Sequence, residues 1–152
     1  MVAGDPVRAV VVAVAALMVV TACDGGQEGE MGVKERAADR AVEVRATVDA
    51  LAALLGTRPE VKQDELIPCE PGDRESLEPV YIVHVPIEAG TLDRVRGEIA
   101  DRYAADGWTV RRDAANGDSV STRFLKGSST VGVRVNEAVG NAVVGGSGGC
   151  VD

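Results

Sequence analysis

The clearest pattern in the chain is an apolar stripe with helical spacing between residues 33 and 55. Its positions recur every three or four residues, and they are Val33, Ala37, Ala41, Val44, Val48, Leu51 and Leu55. At 100° per residue they share one face of a helix, and charged side chains occupy the opposite face. Gly56 follows, where a helix C-terminal cap favours glycine. The pattern predicts a helix that lies on its own domain's sheet, with a coiled-coil partner as the alternative.

The segment from Thr57 to Pro79 has no apolar period and is rich in proline and acidic residues. Its prolines are Pro59, Pro68, Pro71 and Pro79. Because proline removes a backbone donor, this composition disfavours both a helix and a central strand. The next residues, Val80 to Val85, are continuously apolar and mostly β-branched, and Pro86 ends the run. Such a run predicts a strand that is buried on both faces or nearly so.

A second helix is predicted after Thr91, which suits an N-cap position. Its apolar positions have helical spacing and are Leu92, Val95, Ile99 and Tyr103. Gly107 closes this pattern. Gly97 falls on the outer face, where glycine costs about 1 kcal/mol relative to alanine.

From Trp108 onward the apolar period changes to two, which is typical of strands with one buried face. Strands are predicted around Val110, Phe124 and Val133, and a short last strand over Ala142 to Gly145. Asn116-Gly117 is typical of a tight turn between strands. The element order is therefore α-β-α-β-β-β, with one further strand at the end. We predict an α+β fold: a two-layer, mainly antiparallel sheet of four or five strands with both helices on one face.

The N-terminus has a different pattern, that of a bacterial export leader. Arg8 precedes an uninterrupted apolar run, Ala9 to Val20, of about a dozen residues, too short to span a bilayer. The run ends in Val20-Thr21-Ala22-Cys23, which resembles the lipobox of bacterial lipoproteins. That resemblance implies cleavage between Ala22 and Cys23 and a diacylglyceryl group on the cysteine sulfur. The alternative is a conventional secretory leader with an incidental cysteine.

The lipobox sets the expected domain organisation. Residues 1–22 are a cleaved signal peptide, residues 23–32 are the lipidated cysteine and a flexible acidic tether, and residues 33–152 are a single extracytoplasmic domain. The lipid membrane is then a partner through Cys23, because two acyl chains anchor a protein stably. The chain also resembles small, mostly uncharacterised lipoproteins of high-GC Gram-positive bacteria, a resemblance that implies no activity. It rests on the lipobox, the first helix, Pro68-Cys69, Tyr103 with Gly107-Trp108, and Gly149-Cys150.

Charge and cysteine content narrow the possibilities further. The formal net charge is −8, and since Asp5 and Arg8 cancel, the exported part carries all of it. Repulsion from phosphate disfavours nucleic acid as a partner. With Cys23 lipidated, Cys69 and Cys150 remain as an even pair in an exported chain, which predicts a disulfide. A metal site is disfavoured because paired Cys or His spacing is missing, and no cofactor is predicted.

No set of side chains in the sequence specifies a reaction. His84 is the only histidine, and no motif supplies a nucleophile or an orienting carboxylate for it, so a structural role is favoured. If the strand valines face the helices, Arg111, Arg123 and Arg134 share the other sheet face. They could contact an anionic ligand or an envelope protein, although arginine is also common on a solvated face.

These observations favour a membrane-anchored lipoprotein whose small domain binds or scaffolds something without catalysis. Two alternatives stay open. A cell-envelope hydrolase with an unrecognised site would be favoured by a deep polar cleft that holds His84 beside a carboxylate, and a buried His84 would count against it. A carrier of an apolar ligand would need a sizeable cavity between the helices and the sheet.

Overall fold

The computed structural model describes residues 27–113 and 119–152, in which two helices cover one face of a single antiparallel sheet. The first helix, α1, spans Gln27–Leu55. All seven residues of the predicted apolar stripe are buried. They pack on the chain's own sheet, mainly on its second and last strands, and a coiled-coil partner is therefore not needed to cover them. Because α1 begins at Gln27, residues 27–32, which were predicted as tether, belong to the helix.

The strand count is where the sequence prediction is wrong. The Pro-rich segment contains a complete strand, β1 (Glu60–Pro68), which forms a hairpin with β2 (Leu77–Pro86). β1 lies at the edge of the sheet and pairs with β2 alone, so it needs neither an apolar face nor donors on both sides. The side chains of β1 are mostly exposed and polar, so the spacing of apolar residues along the chain did not predict this strand. β2 also begins earlier than predicted, at Leu77.

The second helix, α2, is continuous but changes its winding. Thr91–Arg94 and Ala100–Ala105 are α-helical, and Val95–Ile99 between them is a π-helical turn that contains Gly97. The Arg112 Nη2 donates a hydrogen bond of 3.0 Å to the Arg96 carbonyl, one of the groups at this turn. Gly107 ends α2 as predicted: its φ is 84°, and the Trp108 N–H donates to the Tyr103 carbonyl at 2.9 Å.

The remaining strands follow one another through short connections. They are β3 (Thr109–Arg112), β4 (Ser119–Lys126), β5 (Ser129–Asn136) and β6 (Asn141–Ser147). All neighbours are antiparallel, in the order β1-β2-β6-β5-β4-β3. The α+β class and the antiparallel sheet are confirmed, whereas the sheet has six strands and the order is α-β-β-α-β-β-β-β. The predicted turn at Asn116-Gly117 lies outside the described residues.

The core lies entirely between the helices and one face of the sheet. Its helical side includes Val48, Leu51, Val95 and Ile99, and its sheet side is formed by alternate residues of β2, β4, β5 and β6. Both helices therefore cover the same face, as predicted. No element among the described residues covers the opposite side of the sheet, which we call the open face.

The predicted disulfide joins Cys69 to Cys150, with 5.9 Å between their Cα atoms. It ties the loop of the β1–β2 hairpin to the chain end beyond β6. Val151 and Leu77 exchange two backbone hydrogen bonds of 2.8 and 3.0 Å beside it. The last residues are thereby fastened to the start of β2 by a covalent bond and by a short bridge.

Among the described residues, one buried polar side chain in the core has no hydrogen-bond partner. Thr122 is 0% exposed on the helix-facing side of β4, and its Oγ1 makes no hydrogen bond with any described residue. A buried hydroxyl without a partner costs about 1–3 kcal/mol. We expect Thr122→Val, which keeps the shape and removes the hydroxyl, to raise the free energy of unfolding by about 1 kcal/mol.

Urea unfolding of the two proteins measures this difference directly. Thr130→Val is the matched control, because Thr130 is half-buried on the open face and its hydroxyl is not a buried group without a partner. That control should change stability by less than about 0.5 kcal/mol. A Thr122→Val protein less stable than the wild type would contradict the assignment of an unsatisfied hydroxyl.

Candidate functional site on the open sheet face

The open face presents two rows of side chains that run across the strands. In one row, Ile82 of β2 pairs with Gly145 of β6, Gly145 with Gly132 of β5, and Gly132 with Arg123 of β4. Arg111 of β3 pairs with Arg123 and ends this row. The register therefore places aliphatic, glycine and arginine positions side by side on one surface.

The second row lies one step along the strands and runs through Arg134. His84 pairs with Val143, Val143 with Arg134, and Arg134 with Ser121. The structure thus brings the three arginines considered in the sequence, Arg111, Arg123 and Arg134, to the same face. All three are exposed.

A shallow recess lies where the two rows meet. It has a volume of about 300 Å³, and its lining includes Arg123, Gly132, Arg134, Val143 and Gly145. A second recess of about 290 Å³ shares its two glycines and Arg123 and extends to Val80, Ile82 and Ser147. The floor is mostly strand backbone, because the paired glycines carry no side chains. The walls are aliphatic on the β2 side and cationic on the β4 side.

The arginines differ in how they are held. Arg123 makes a bidentate ion pair with Asp113, with Nε–Oδ2 and Nη2–Oδ1 distances of 3.0 and 2.9 Å. The hydrogen bonds from Arg123 lower the pKa of the Asp113 carboxyl, and Arg111 adds to this effect. The Arg123 and Asp113 side chains are 49% and 38% exposed, so the pair orients Arg123 more than it stabilises the fold. Arg134 is exposed and makes no hydrogen bond or ion pair with any described residue.

The opposite end of the open face is acidic. Glu60 and Glu65 of β1 stand opposite His84 and Val80. Glu78 of β2 accepts a hydrogen bond from the Ser147 hydroxyl. Lys62 of β1 pairs with Glu60, so Glu65 and Glu78 are the carboxylates that make this end negative relative to β4 and β5, with apolar and glycine positions between them.

His84 is half-buried on this face and makes no hydrogen bond with a described residue. Glu60 stands opposite it across the β1–β2 pair. The surroundings are a shallow sheet surface, not the deep polar cleft that would favour the hydrolase alternative. Cys23 and Ala22 lie outside the described residues, so their roles remain predictions.

A groove between the two helices is a second concave feature, and the sequence analysis missed it. It has a volume of about 350 Å³, and small residues of α1 form one side, among them Ala46, Thr47 and Ala50. Tyr103 and Trp108 form the other side. Burial raises the pKa of the Tyr103 hydroxyl, and its ring lies 4.4 Å from that of Phe124. The groove opens to solvent between the helices, whereas the apolar-carrier alternative requires a cavity between the helices and the sheet.

Two further findings apply to the described part of the chain only. Residues 27–113 and 119–152 contain no cluster of three or more His, Cys, Asp or Glu side chains that could hold a metal ion. None of the helices in these ranges has the length and apolar character needed to cross a membrane. No protein-family model matches this chain, and no curated protein and no solved structure is significantly similar to it.

Proposed function

We propose that this chain is a membrane-anchored lipoprotein of the bacterial envelope whose domain binds an anionic partner, without catalysis, on its open sheet face. The lipobox-like sequence ending in Cys23 supports the anchor. The observation that carries the binding role is the exposed Arg134, which has no ion-pair partner among residues 27–113 and 119–152, beside an apolar recess on a chain whose net charge is −8.

The composition of the open face supports binding rather than simple solvation. A sheet face that only meets water favours long polar side chains, which cover the backbone. Here Val80, Ile82 and Val143 are half-buried in the middle of the face, next to two glycines. An apolar centre with charged residues around it is the usual anatomy of a protein's binding surface. The arginines restrict the partner to one with negative charge at the β4–β5 side.

The anchor is tested by the mass of the mature N-terminus isolated from the native membrane. We expect the first residue to be Cys23, carrying a diacylglyceryl group. Cys23→Ala should release the protein from the membrane fraction. An unmodified N-terminus at another residue would contradict the anchor and leave the binding role untouched.

The binding role is tested by site-specific photo-cross-linking in the native envelope. A photoreactive residue at Ser121, beside Arg134, should give a discrete adduct in the intact-protein mass spectrum. The same residue at Val42, which is 61% exposed on α1, should give none and serves as the matched control.

Replacing Arg111, Arg123 and Arg134 by alanine should lower the adduct yield at Ser121 by about tenfold or more, because a desolvated charge pair contributes at least that factor to binding. Equal adducts at Ser121 and Val42, or a yield that is unchanged in the triple variant, would contradict the proposal.

A further inference from the structure

Two glycines in the recess are not required by the fold. Gly132 and Gly145 are not among the residues with positive φ, so an alanine can adopt their backbone conformation. A Cβ on Gly132 would lie 3.6 Å from the Arg123 Cγ, and one on Gly145 would lie 3.4 Å from the Ile82 Cγ1, both ordinary contacts. Gly146 on the core face is different, because a Cβ there would lie 2.5 Å from the Val48 Cγ2.

The open-face glycines therefore weaken their strands without serving the packing. Glycine in a strand interior is about 0.5–1 kcal/mol less favourable than alanine. What the pair does provide is space, since side chains are missing from two opposed positions of neighbouring strands. That space is the recess described above.

The dimensions of the recess suit a flat ring. Its two glycines lie on strands about 4.8 Å apart, and the flanking open-face residues on each strand are about 7 Å away along the chain. Ile82 and Arg123 close the other two sides. The recess is two strands wide and as deep as one side chain, and strand backbone forms its floor. A planar six-membered ring can lie flat on that floor.

The charges around the recess orient such a ring. Arg134 follows Gly132 by two residues on β5 and lies at one end, with no ion-pair partner among the described residues. Glu78 is bound to Ser147 at the opposite end, where it would repel an anion. Arginine binds carboxylate and phosphate with a planar fork and also stacks on aromatic rings. A negative group on the ring would therefore point toward Arg134.

We propose that the recess over Gly132 and Gly145 binds a small planar ring bearing a carboxylate or phosphate group, with its anion on Arg134. This inference rests on the proposed function, because it names the ligand of the same face. It adds a requirement for a ring, which the arginines alone do not impose.

The test is an amide NMR titration of the intact chain in neutral detergent micelles with benzoate. Ring-current shifts should appear at the Gly132 and Gly145 amides, with a dissociation constant in the millimolar range, as expected for so small a ligand. Benzamide, which has the ring without the charge, and acetate, which has the charge without the ring, should each bind about tenfold more weakly. Benzamide also controls for partition into the micelle.

Two variants separate the ring from the charge. Gly132→Ala places a methyl group on the floor of the recess and leaves every arginine in the chain, and we expect it to weaken benzoate binding by about tenfold. Arg134→Gln should reduce benzoate binding to the level of benzamide. Gly97→Ala makes the same substitution at a helical glycine, where the new Cβ would meet nothing within 4 Å. It should leave benzoate binding unchanged.

The outcomes distinguish this inference from the proposed function. If Arg134→Gln weakens benzoate while Gly132→Ala does not, the face binds anions without using the recess, and the ring proposal is overturned. If benzoate leaves the Gly132 and Gly145 amides unshifted, the ring proposal is also overturned. In either case the photo-cross-linking at Ser121 tests whether the open face binds a partner, and its result does not depend on the benzoate titration.

Discussion

Removal of the Cys69–Cys150 disulfide is expected to lower the free energy of unfolding by about 4–5 kcal/mol. The two cysteines are 81 positions apart, so the bond restricts a long loop in the unfolded chain, and the entropic benefit grows with loop length. In the folded protein the bond also holds the chain end beyond β6 against the β1–β2 hairpin. A loss of this size is a large fraction of the stability of a typical domain.

The measurement compares urea unfolding of Cys69→Ser/Cys150→Ser with that of the oxidised protein, with Cys23→Ala in both so that no third thiol can exchange. Chemical reduction of the oxidised protein should reproduce the stability of the double variant. A difference below about 1 kcal/mol would show that the bond adds little beyond the Val151–Leu77 bridge.

A second large loss of stability is expected from substitution of Gly56, which lies where α1 meets the end of β2. A Cβ at this position would lie 2.1 Å from the Pro86 carbonyl oxygen and 3.1 Å from the Val85 Cγ1. The backbone oxygen cannot move without shifting β2 or the end of the helix. We expect Gly56→Ala to lower the free energy of unfolding by about 3 kcal/mol, at the upper end of the usual cost of overpacking.

Gly97→Ala is the matched control, because it makes the same change in a helix where the new Cβ meets nothing within 4 Å. It should leave stability unchanged or raise it by up to about 1 kcal/mol. Thermal unfolding of both variants measures the contrast. Equal effects at Gly56 and Gly97 would mean that the close approach to Pro86 is not what requires glycine.

The role of Gly56 differs from the one that the sequence predicts. Its position after the apolar stripe suggested a helix cap, a role that requires a positive φ. The structure gives positive φ to Arg58 instead, at 58°, and assigns Gly56 to a close backbone contact. The spacing of apolar residues shows only that the helix ends near Gly56. It does not show that the Pro86 carbonyl excludes a side chain there, because Pro86 is distant in the sequence.

The elements that were predicted correctly are those in which apolar residues recur at a regular helical or strand spacing. α1 and α2 bury large residues on one face, and β4 and β5 alternate between core and open face, so local spacing suffices. β1 was missed because an edge strand is held by its backbone pairing with β2 and buries few side chains. The disulfide was predicted from a cysteine count: with the predicted lipidation of Cys23, two cysteines remain in a chain that we expect to be exported, and this inference does not depend on geometry.

The same distinction applies to the candidate site. Alternation along β3, β4 and β5 sufficed to predict that Arg111, Arg123 and Arg134 share a face. The recess was missed because Gly132 and Gly145 become neighbours only through the register of β5 and β6. The available signal was glycine inside two predicted strands, which often marks a place where another molecule approaches the backbone closely.

The central proposal is that the open face is occupied by a partner in the bacterial envelope, where we propose that the protein is anchored. The most direct measurement is the rate at which an arginine-specific reagent modifies Arg134 in whole envelopes, compared with the purified protein. Exposed Arg74, in the loop between β1 and β2, is the internal reference.

We predict that Arg134 reacts about tenfold more slowly in the envelope, as for a site that is occupied about nine-tenths of the time, while Arg74 reacts equally in both. Equal modification of Arg134 in the envelope and in the purified protein would contradict the account.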